Sequence, residues 1–354
     1  MVSITLCMIV KNEELTIERC LSSVKGIADE IIIVDTGSID KTKDIAAQFT
    51  DQIYSFEWID DFSAARNYSF SKATKEYILW LDADDVILPA DRDKFITLKQ
   101  NLNPDVDVVI MRYHIGKGID EKSICSFPRE RLLKRSGNFI WYDCVHEYLI
   151  LKGNIINVDI GITHKSNHGI SVRNLNILEK QMREGKTLSN RQTFYYAREL
   201  FLNGRFREAK EQYEKFLITK DGLVSNYMDA CLDLSYCYQV DSQKENQLKT
   251  LLRSFEYAVP RGEICCRIGY YYKESDNYER AIEWFELATL LKKPDGNTTS
   301  VVHDFWGYIP CMELCICNFK LKKYSYAKRY NEMAGFHRPN DSVYLYNREL
   351  LKDF

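Results

Sequence analysis

Three carboxylates fall within four residues in Leu81-Asp82-Ala83-Asp84-Asp85, directly after the apolar run Tyr77-Ile78-Leu79-Trp80-Leu81. Acids clustered where a buried strand ends must be neutralised. A hard divalent cation does this with oxygen ligands, commonly one or two protein carboxylates plus substrate phosphates. An Asp-x-Asp in this place therefore points to a site for a metal-bound, phosphorylated donor, with a solvated acidic turn as the alternative reading.

Such a cluster has to be held by a framework, and the first hundred residues supply one. Ser3–Val10 reads as a buried strand, and Glu14–Ile27 carries Leu15, Ile17, Leu21 and Val24 at helical spacing. Glu30–Val34 is a continuous β-branched run of the kind found in parallel strands covered on both faces. It ends in Asp35-Thr36-Gly37-Ser38-Ile39-Asp40, turn chemistry that opens a helix over Lys43–Phe49. Gln52–Trp58 is a third expected strand, Phe62–Ala73 a helix and Tyr77–Leu81 a fourth strand. Strands alternating with helices predict an α/β fold with a mainly parallel sheet, and such sheets bind ligands beyond the carboxyl ends of their strands. Asp35 and the Asp82 cluster both stand at such ends.

Val10-Lys11-Asn12-Glu13-Glu14, Val34-Asp35-Thr36-Gly37-Ser38-x-Asp40, Asp61-Phe62-Ser63-Ala64-Ala65-Arg66-Asn67 and Leu79-Trp80-Leu81-Asp82-Ala83-Asp84-Asp85 occur in that order. Together they resemble the nucleotide-sugar half of the family 2 glycosyltransferases with the GT-A fold, over about the first 170 residues. The resemblance is nearest to a branch holding lipopolysaccharide-core glucosyltransferases and peptide S-glycosyltransferases of the sublancin type. It implies a uracil N3–H acceptor at Asp35, although a turn aspartate capping the next helix fits the same residue. It places Val10, Asn12, Glu13, Ser38 and Ala83 around the nucleoside, with Asn12-Glu13 also readable as a helix start. Arg66 would reach the nucleotide, or else pair with Asp60 or Asp61 on the surface. Asp82 would hold the ribose and reach the metal through water, and Asp84 would bind Mn²⁺ or Mg²⁺ directly, with Asp85 as a third member.

The segment Asp107–Lys165 is expected to complete the site. Val106–Tyr113 is another strand, Arg129–Arg135 alternates charged and apolar residues, and Ile155–His164 reads as two short strands or a hairpin. Arg129, Arg131 and Lys134 suit the charge of a diphosphate, or the solvated face of an edge strand. Val145-His146-Glu147 resembles a Val-His-Glu triplet of the lipopolysaccharide-core branch. Inverting transfer needs a carboxylate to take the acceptor's proton. Glu147 is the expected base, Asp143 the second choice, and His146 a base, an orienting partner or a half-buried histidine. The resemblance makes His164 a metal ligand, an imidazole suiting Mn²⁺ better than Mg²⁺, with His168 as its local competitor.

The rest of the chain has a different texture. From Arg191 onwards there is no strand signal, and Asn203–Ala209, Asn277–Ala281 and Lys323–Ala327 share one phase. Gly269, Tyr272, Ala281, Phe285, Ala288 and Pro294 fall near the tetratricopeptide pattern. About four helix pairs in an all-α solenoid are expected, offering a surface for an extended partner or for a homodimer. The expected domains are 1–170, a helical connector at 171–190, and repeats at 191–354.

The chain has 354 residues, 45% hydrophobic and 28% charged, with a net charge of −3. That is enough for two cored domains, and the balance argues against a nucleic-acid binder. No apolar run spans a bilayer and no export signal is read, so the eleven cysteines are expected as reduced thiols in a cytoplasmic protein. The expected activity is inverting, metal-dependent transfer of a hexose from a uridine diphosphate sugar to a peptide or protein. A lipopolysaccharide-core or lipid-linked saccharide is the alternative acceptor. A non-catalytic repeat scaffold on a degenerate transferase fold is the alternative of another class.

Overall fold

The computed structural model describes residues 1–117, 123–166, 169, 171–293 and 301–354. His168 and Pro294 lie outside them. The described residues form two compact units, the first chiefly Met1–Gly116 and Phe127–Thr187, the second chiefly from Leu188 onwards.

In the first unit the elements run β1 (Ile4–Val10), α1 (Ile17–Ser23), β2 (Glu30–Asp35), α2 (Thr42–Ala46), β3 (Ile53–Ser55), α3 (Phe62–Lys72), β4 (Tyr77–Trp80), β5 (Asp85–Val86) and α4 (Pro89–Asn101). They continue as β6 (Val108–Lys117), β7 (Ser123–Lys134), β8 (Trp141–Tyr142), β9 (Tyr148–Leu149), β10 (Ile155–His164) and α5 (Arg173–Arg183). The main sheet has the order β3-β2-β1-β4-β7-β6-β10-β5, and β8 and β9 form a separate two-stranded ribbon. Strands β1, β2, β3 and β4 are mutually parallel neighbours, whereas β4–β7 and β10–β5 are antiparallel. The result is the mixed, largely parallel sheet expected of a GT-A fold. Register sets Val10 level with Asp35 and Cys7 level with Trp80, so β1, β2 and β4 end close together. Ile4, Leu6, Met8, Ile33, Leu79, Phe95 and Ile162 are fully buried in the core beneath these ends.

Several boundaries differ from the sequence expectation. Helix α1 begins only at Ile17, after Asn12 takes a left-handed backbone angle (φ 56°), and ends at Ser23, whereas α2 begins at Thr42, as early as expected, and stops short at Ala46. Ile155–His164 is one strand, not two. Its register shifts between Asn157 and Gly161, a bulge that a hydropathy pattern does not distinguish from a break. Strand β7 is central, between β4 and β6, so its arginines are not on a solvated edge. Helix α5 buries Leu175, Ile177 and Leu178 and groups with the first unit rather than standing as a separate connector.

The second unit consists of helical hairpins α6–α7 (Asn190–Leu202, Phe206–Ile218), α8–α9 (Val224–Val240, Lys244–Arg253), α10–α11 (Gly262–Lys273, Tyr278–Leu290) and α12–α13 (Tyr308–Lys320, Tyr324–His337), followed by α14 (Ser342–Leu350). Each hairpin turns on one left-handed residue, in order Gly204, Ser242, Asp276 and Lys322. At each turn the next N–H reaches back over the helix end, as in Arg205 N to Leu200 O at 2.9 Å and Gln243 N to Tyr238 O at 2.8 Å. The second hairpin, whose sequence is degenerate, keeps the same device. In the third, a Cβ on Gly269 would come within 2.7 Å of the Phe285 ring, so the repeat depends on a side chain that is missing.

Candidate active site

A cavity of about 550 Å³ opens where β1 and β4 end, bordered by Val10, Lys11, Asp82 and Asp84 among others. The Asp82 loop is folded by its own polar atoms. The Asp82 N–H donates to Asp85 Oδ2 at 3.0 Å and the Asp85 N–H to Asp82 O at 3.0 Å. Asp85 is fully buried, and its carboxylate also meets the Tyr113 hydroxyl (2.7 Å), Arg131 Nη1 (3.1 Å) and His164 Nδ1 (3.5 Å). It therefore builds the site from behind.

Asp84 differs, since among the described residues its Oδ1 is paired with His164 Nδ1 alone, at 3.3 Å. The pairing of β10 with β5 sets His164 opposite Asp85, which carries the imidazole to the acidic loop from far along the chain. Asp84, Asp85 and His164 each offer a ligand atom, all within 4.8 Å of one another. Hydrogen bonding to Asp84, and then to Asp85, raises the His164 imidazole to about 10. A protonated imidazole thus supplies the counter-charge that a cation would supply, and an oxygen-and-nitrogen donor set of this kind fits Mn²⁺ or Mg²⁺. His164 Nδ1 also lies 2.9 Å from the Tyr113 hydroxyl and 3.5 Å from Asp85 Oδ1, so Asp84, Asp85 and His164 together are the donor group the geometry offers an ion.

Arg66 is the second organising residue. Its Nη2 donates to Asp82 Oδ1 at 2.7 Å and its Nε to Glu147 Oε1 at 2.6 Å. The expected pairing with Asp60 or Asp61 is absent, because Asp60 is bound by Lys180 and Trp58, and Asp61 caps α3 through Ala64 N. Burial opposes the Arg66 charge, but the Asp82 and Glu147 carboxylates more than offset it and hold the guanidinium above its ordinary range. Burial likewise works against the Asp82 anion, and Arg66 followed by Arg131 overcomes this, leaving Asp82 well below the usual carboxylate range.

Glu147 sits in a strained loop between β8 and β9. Asp143 and His146 both adopt positive φ (68° and 54°), an uncommon state for non-glycine residues that the surroundings must enforce. The enforcement comes from α3. Asn67 pairs twice with the Trp141 backbone, at 2.9 and 3.0 Å, and the Phe62 N–H donates to Cys144 O at 2.8 Å. The Ala65-Arg66-Asn67 stretch thereby holds the Glu147 loop with two successive side chains. His146 and Glu147 border the cavity, and Asp143 does not.

On the nucleoside side, Val10, Glu13 and Ala83 border the cavity, but Asn12, Asp35 and Ser38 do not. Asp35 is buried and its carboxylate accepts the N–H groups of Gly37 and Ser38, while Asn12 Oδ1 accepts from Ile39 N. These side chains build the turn beyond β2, and Asp35 does not cap α2, whose N-terminal residue follows Lys41. Lys134 is turned away, donating to Pro104 O, whereas Arg129 and Arg131 reach the cavity. Sequence reasoning missed Trp58, Phe62, Tyr113 and Arg173, all of which border the cavity. Phe62 stands one turn before Arg66 on α3, a spacing that was available as a signal. Tyr113 depends on strand pairing and left none.

A glycosyl transferase family 2 model matches residues 5–156, and a tetratricopeptide repeat model matches residues 262–295. The chain is 31% identical over 229 residues to the SPbeta prophage-derived glycosyltransferase SunS of Bacillus subtilis, covering 60% of this chain and 53% of that protein. It is 47% identical over 88 residues to a TPR repeat-containing protein of Synechococcus elongatus, covering 25% of this chain and 22% of the relative. The chain spans about half the length, or less, of these curated relatives. Among solved structures, glucosyl-3-phosphoglycerate synthase from Mycobacterium tuberculosis, in complex with Mg²⁺ and uridine diphosphate, aligns with a TM-score of 0.36 at 16% identity, covering 53% of this chain and 82% of that one. No helix among the described residues is long and apolar enough to cross a membrane. Residues 5–156 of this chain thus form a glycosyl transferase family 2 domain, and the helical unit that follows carries a tetratricopeptide repeat.

Proposed function

We propose that this chain is an inverting, divalent-metal-dependent glycosyltransferase that moves a hexose from a uridine diphosphate sugar to a peptide or protein. The observation that carries the reading is the convergence of Asp82, Asp84, His164 and Glu147 on one cavity. A bound cation would offset the charge of the departing diphosphate. Asp84 and His164 hold it, and Asp82, fixed by Arg66, meets the donor ribose. Val10 and Glu13 border the nucleoside, and Asn12, Asp35 and Ser38 shape the turn behind them. Glu147 takes the acceptor's proton as the acceptor attacks the anomeric carbon from the face opposite the diphosphate, whose bond to that carbon breaks.

The family 2 match and the similarity to SunS support the transfer class. The polypeptide acceptor is supported by the resemblance of the motifs to the peptide-modifying branch, and by the hairpin array, since stacked helical repeats offer extended binding surfaces. Ten of the eleven cysteines are buried, and reduced thiols in the cytoplasm are part of the proposal.

The test is donor hydrolysis across UDP-glucose, UDP-galactose and UDP-N-acetylglucosamine, with Mn²⁺ and with chelator. One donor should be hydrolysed slowly with metal and not without it. No hydrolysis and no nucleotide binding would favour a repeat scaffold on a degenerate transferase fold.

A further inference from the structure

One guanidinium touches both halves of the proposed reaction centre. Arg66 Nη2 meets Asp82, on the donor loop, and Arg66 Nε meets Glu147, on the base loop. The two carboxylates lie on separate segments, one after β4 and the other between β8 and β9. The guanidinium is itself held still. Its carbon lies 4.7 Å from the Trp80 ring centre and 5.2 Å from that of Trp141, and Trp80 and Trp141 pack edge to face. The Arg66 side chain is 8% exposed and that of Glu147 12%, against 36% for Asp82, so the pair with Glu147 is the better shielded from water. Arg66 enters from the first turns of α3, whose Asp61 cap and Asn67 clamp fix the helix against the β8 backbone.

We propose that Arg66 is a positioning residue that fixes the distance between the base and the donor loop, so that Glu147 meets the incoming nucleophile in line with the bond that breaks. The proposal rests on the reading of Glu147 as base. A bridging role needs two nitrogens at fixed separation, which arginine has and lysine lacks. Glu147 Oε1 is spent on the bridge, leaving Oε2 to accept the proton. Asp82 keeps the backbone bond of its own loop to Asp85 whether or not Arg66 is present.

The experiment uses the full chain, the UDP-hexose that the wild type hydrolyses fastest, and water as nucleophile. Two quantities are measured for wild type, Arg66→Lys, Glu147→Gln and the double variant: the hydrolytic turnover, and the affinity for UDP with Mn²⁺ by calorimetry. Glu147→Gln should slow turnover by roughly 10²-fold or more. Arg66→Lys should slow it by about 10- to 10²-fold through misplacement of the base, with UDP affinity falling by clearly less than turnover, since Asp82 also keeps its own bond to Asp85. Because Arg66 acts through Glu147, the double variant should turn over at the rate of Glu147→Gln alone. Multiplying effects, or a loss confined to UDP affinity, would overturn the proposal while leaving the base in place. Wild-type turnover in Glu147→Gln would instead remove the base reading itself. If Arg66→Lys does not fold, Glu147→Asp carries the test. Its shorter carboxylate cannot span to Arg66 and the nucleophile together, so turnover should fall with UDP affinity intact, and undiminished turnover overturns the proposal.

Discussion

Replacing Arg131 with methionine should destabilise the first unit by about 3–4 kcal/mol, more than any surface substitution would. Arg131 and Asp85 form an ion pair with side chains 1% and 0% exposed. Methionine preserves much of the apolar stem but leaves the Asp85 carboxylate buried without its cation, a change that costs about 3–5 kcal/mol in comparable pairs. The guanidinium also lies 3.9 Å from the Trp80 ring centre and 4.4 Å from that of Tyr113, contacts worth on the order of 1 kcal/mol or more when desolvated. Against this, Asp85 keeps the Tyr113 hydroxyl and the Asp82 N–H, which holds the total toward the lower end. Asp85→Asn should cost a similar amount by stranding Arg131. The double variant Arg131→Met/Asp85→Asn should recover at least 2 kcal/mol, roughly, of the summed loss, since neither partner then leaves a charge behind. Urea unfolding gives the free energies, and hydrogen exchange at β4 and β7 amides assigns the loss to the first unit. A loss below about 1 kcal/mol for Arg131→Met, or strictly additive single effects, would refute the account of this pair as a buried, mutually dependent unit.

Asp84→Asn should abolish Mn²⁺-dependent binding of UDP, measured by calorimetry, while shifting metal-free unfolding by less than about 1 kcal/mol, because among the described residues Asp84 Oδ1 is paired with His164 alone. Gly269→Ala should destabilise the helical unit by about 1–2 kcal/mol despite the better helix propensity of alanine, since Phe285 is fully buried and has no room to give; a gain in the urea midpoint would contradict the close approach. Burial pushes the Asp233 carboxyl up to about 6, so the folded state binds more protons than the unfolded chain between the ordinary aspartate range and that value. Stability from this group is therefore full in acid and falls as pH rises towards 6. Asp233→Asn, which still accepts from the Tyr213 hydroxyl, should flatten that part of the profile and stabilise the helical unit at pH 8 by on the order of 1 kcal/mol; an unchanged pH profile would count against it.

The strand and helix order of the first unit was legible because its residues carry local signals: a β-branched run for β2, helical spacing of Leu15, Ile17, Leu21 and Val24 for α1, and turn residues after β2. Asp82 and Asp84 stood out as carboxylates clustered at a strand end, whereas Glu147 and His164 were singled out only through the family resemblance; all four border the cavity. What escaped were the relations among them. Arg66 lies 16 and 81 residues from its two partners, and no local pattern ties them together. The network around Asp85 depends on Tyr113 and Arg131 arriving from neighbouring strands, so its part in holding the acidic loop appears only in three dimensions. Asp35 shows the reverse. Its turn-capping role was readable from Gly37 and Ser38, and the structure shows that local bonding uses the carboxylate.

One indole ring concentrates the mutational risk of the whole cavity. Arg66, Arg129 and Arg131 all place their guanidinium carbons within 5 Å of the Trp80 ring centre, at 4.7, 4.9 and 3.9 Å. Replacing any one arginine leaves the other two seated, whereas replacing Trp80 unseats all three and the carboxylates they hold. A library aimed at new donor or acceptor preference should therefore vary Trp58, Phe62 and Arg173, which border the cavity and pack on one another, and keep position 80 fixed. Random mutagenesis scored for function should find those three positions permissive and position 80 nearly silent, with even phenylalanine, which lacks the indole N–H donated to Glu130 O, poorly tolerated.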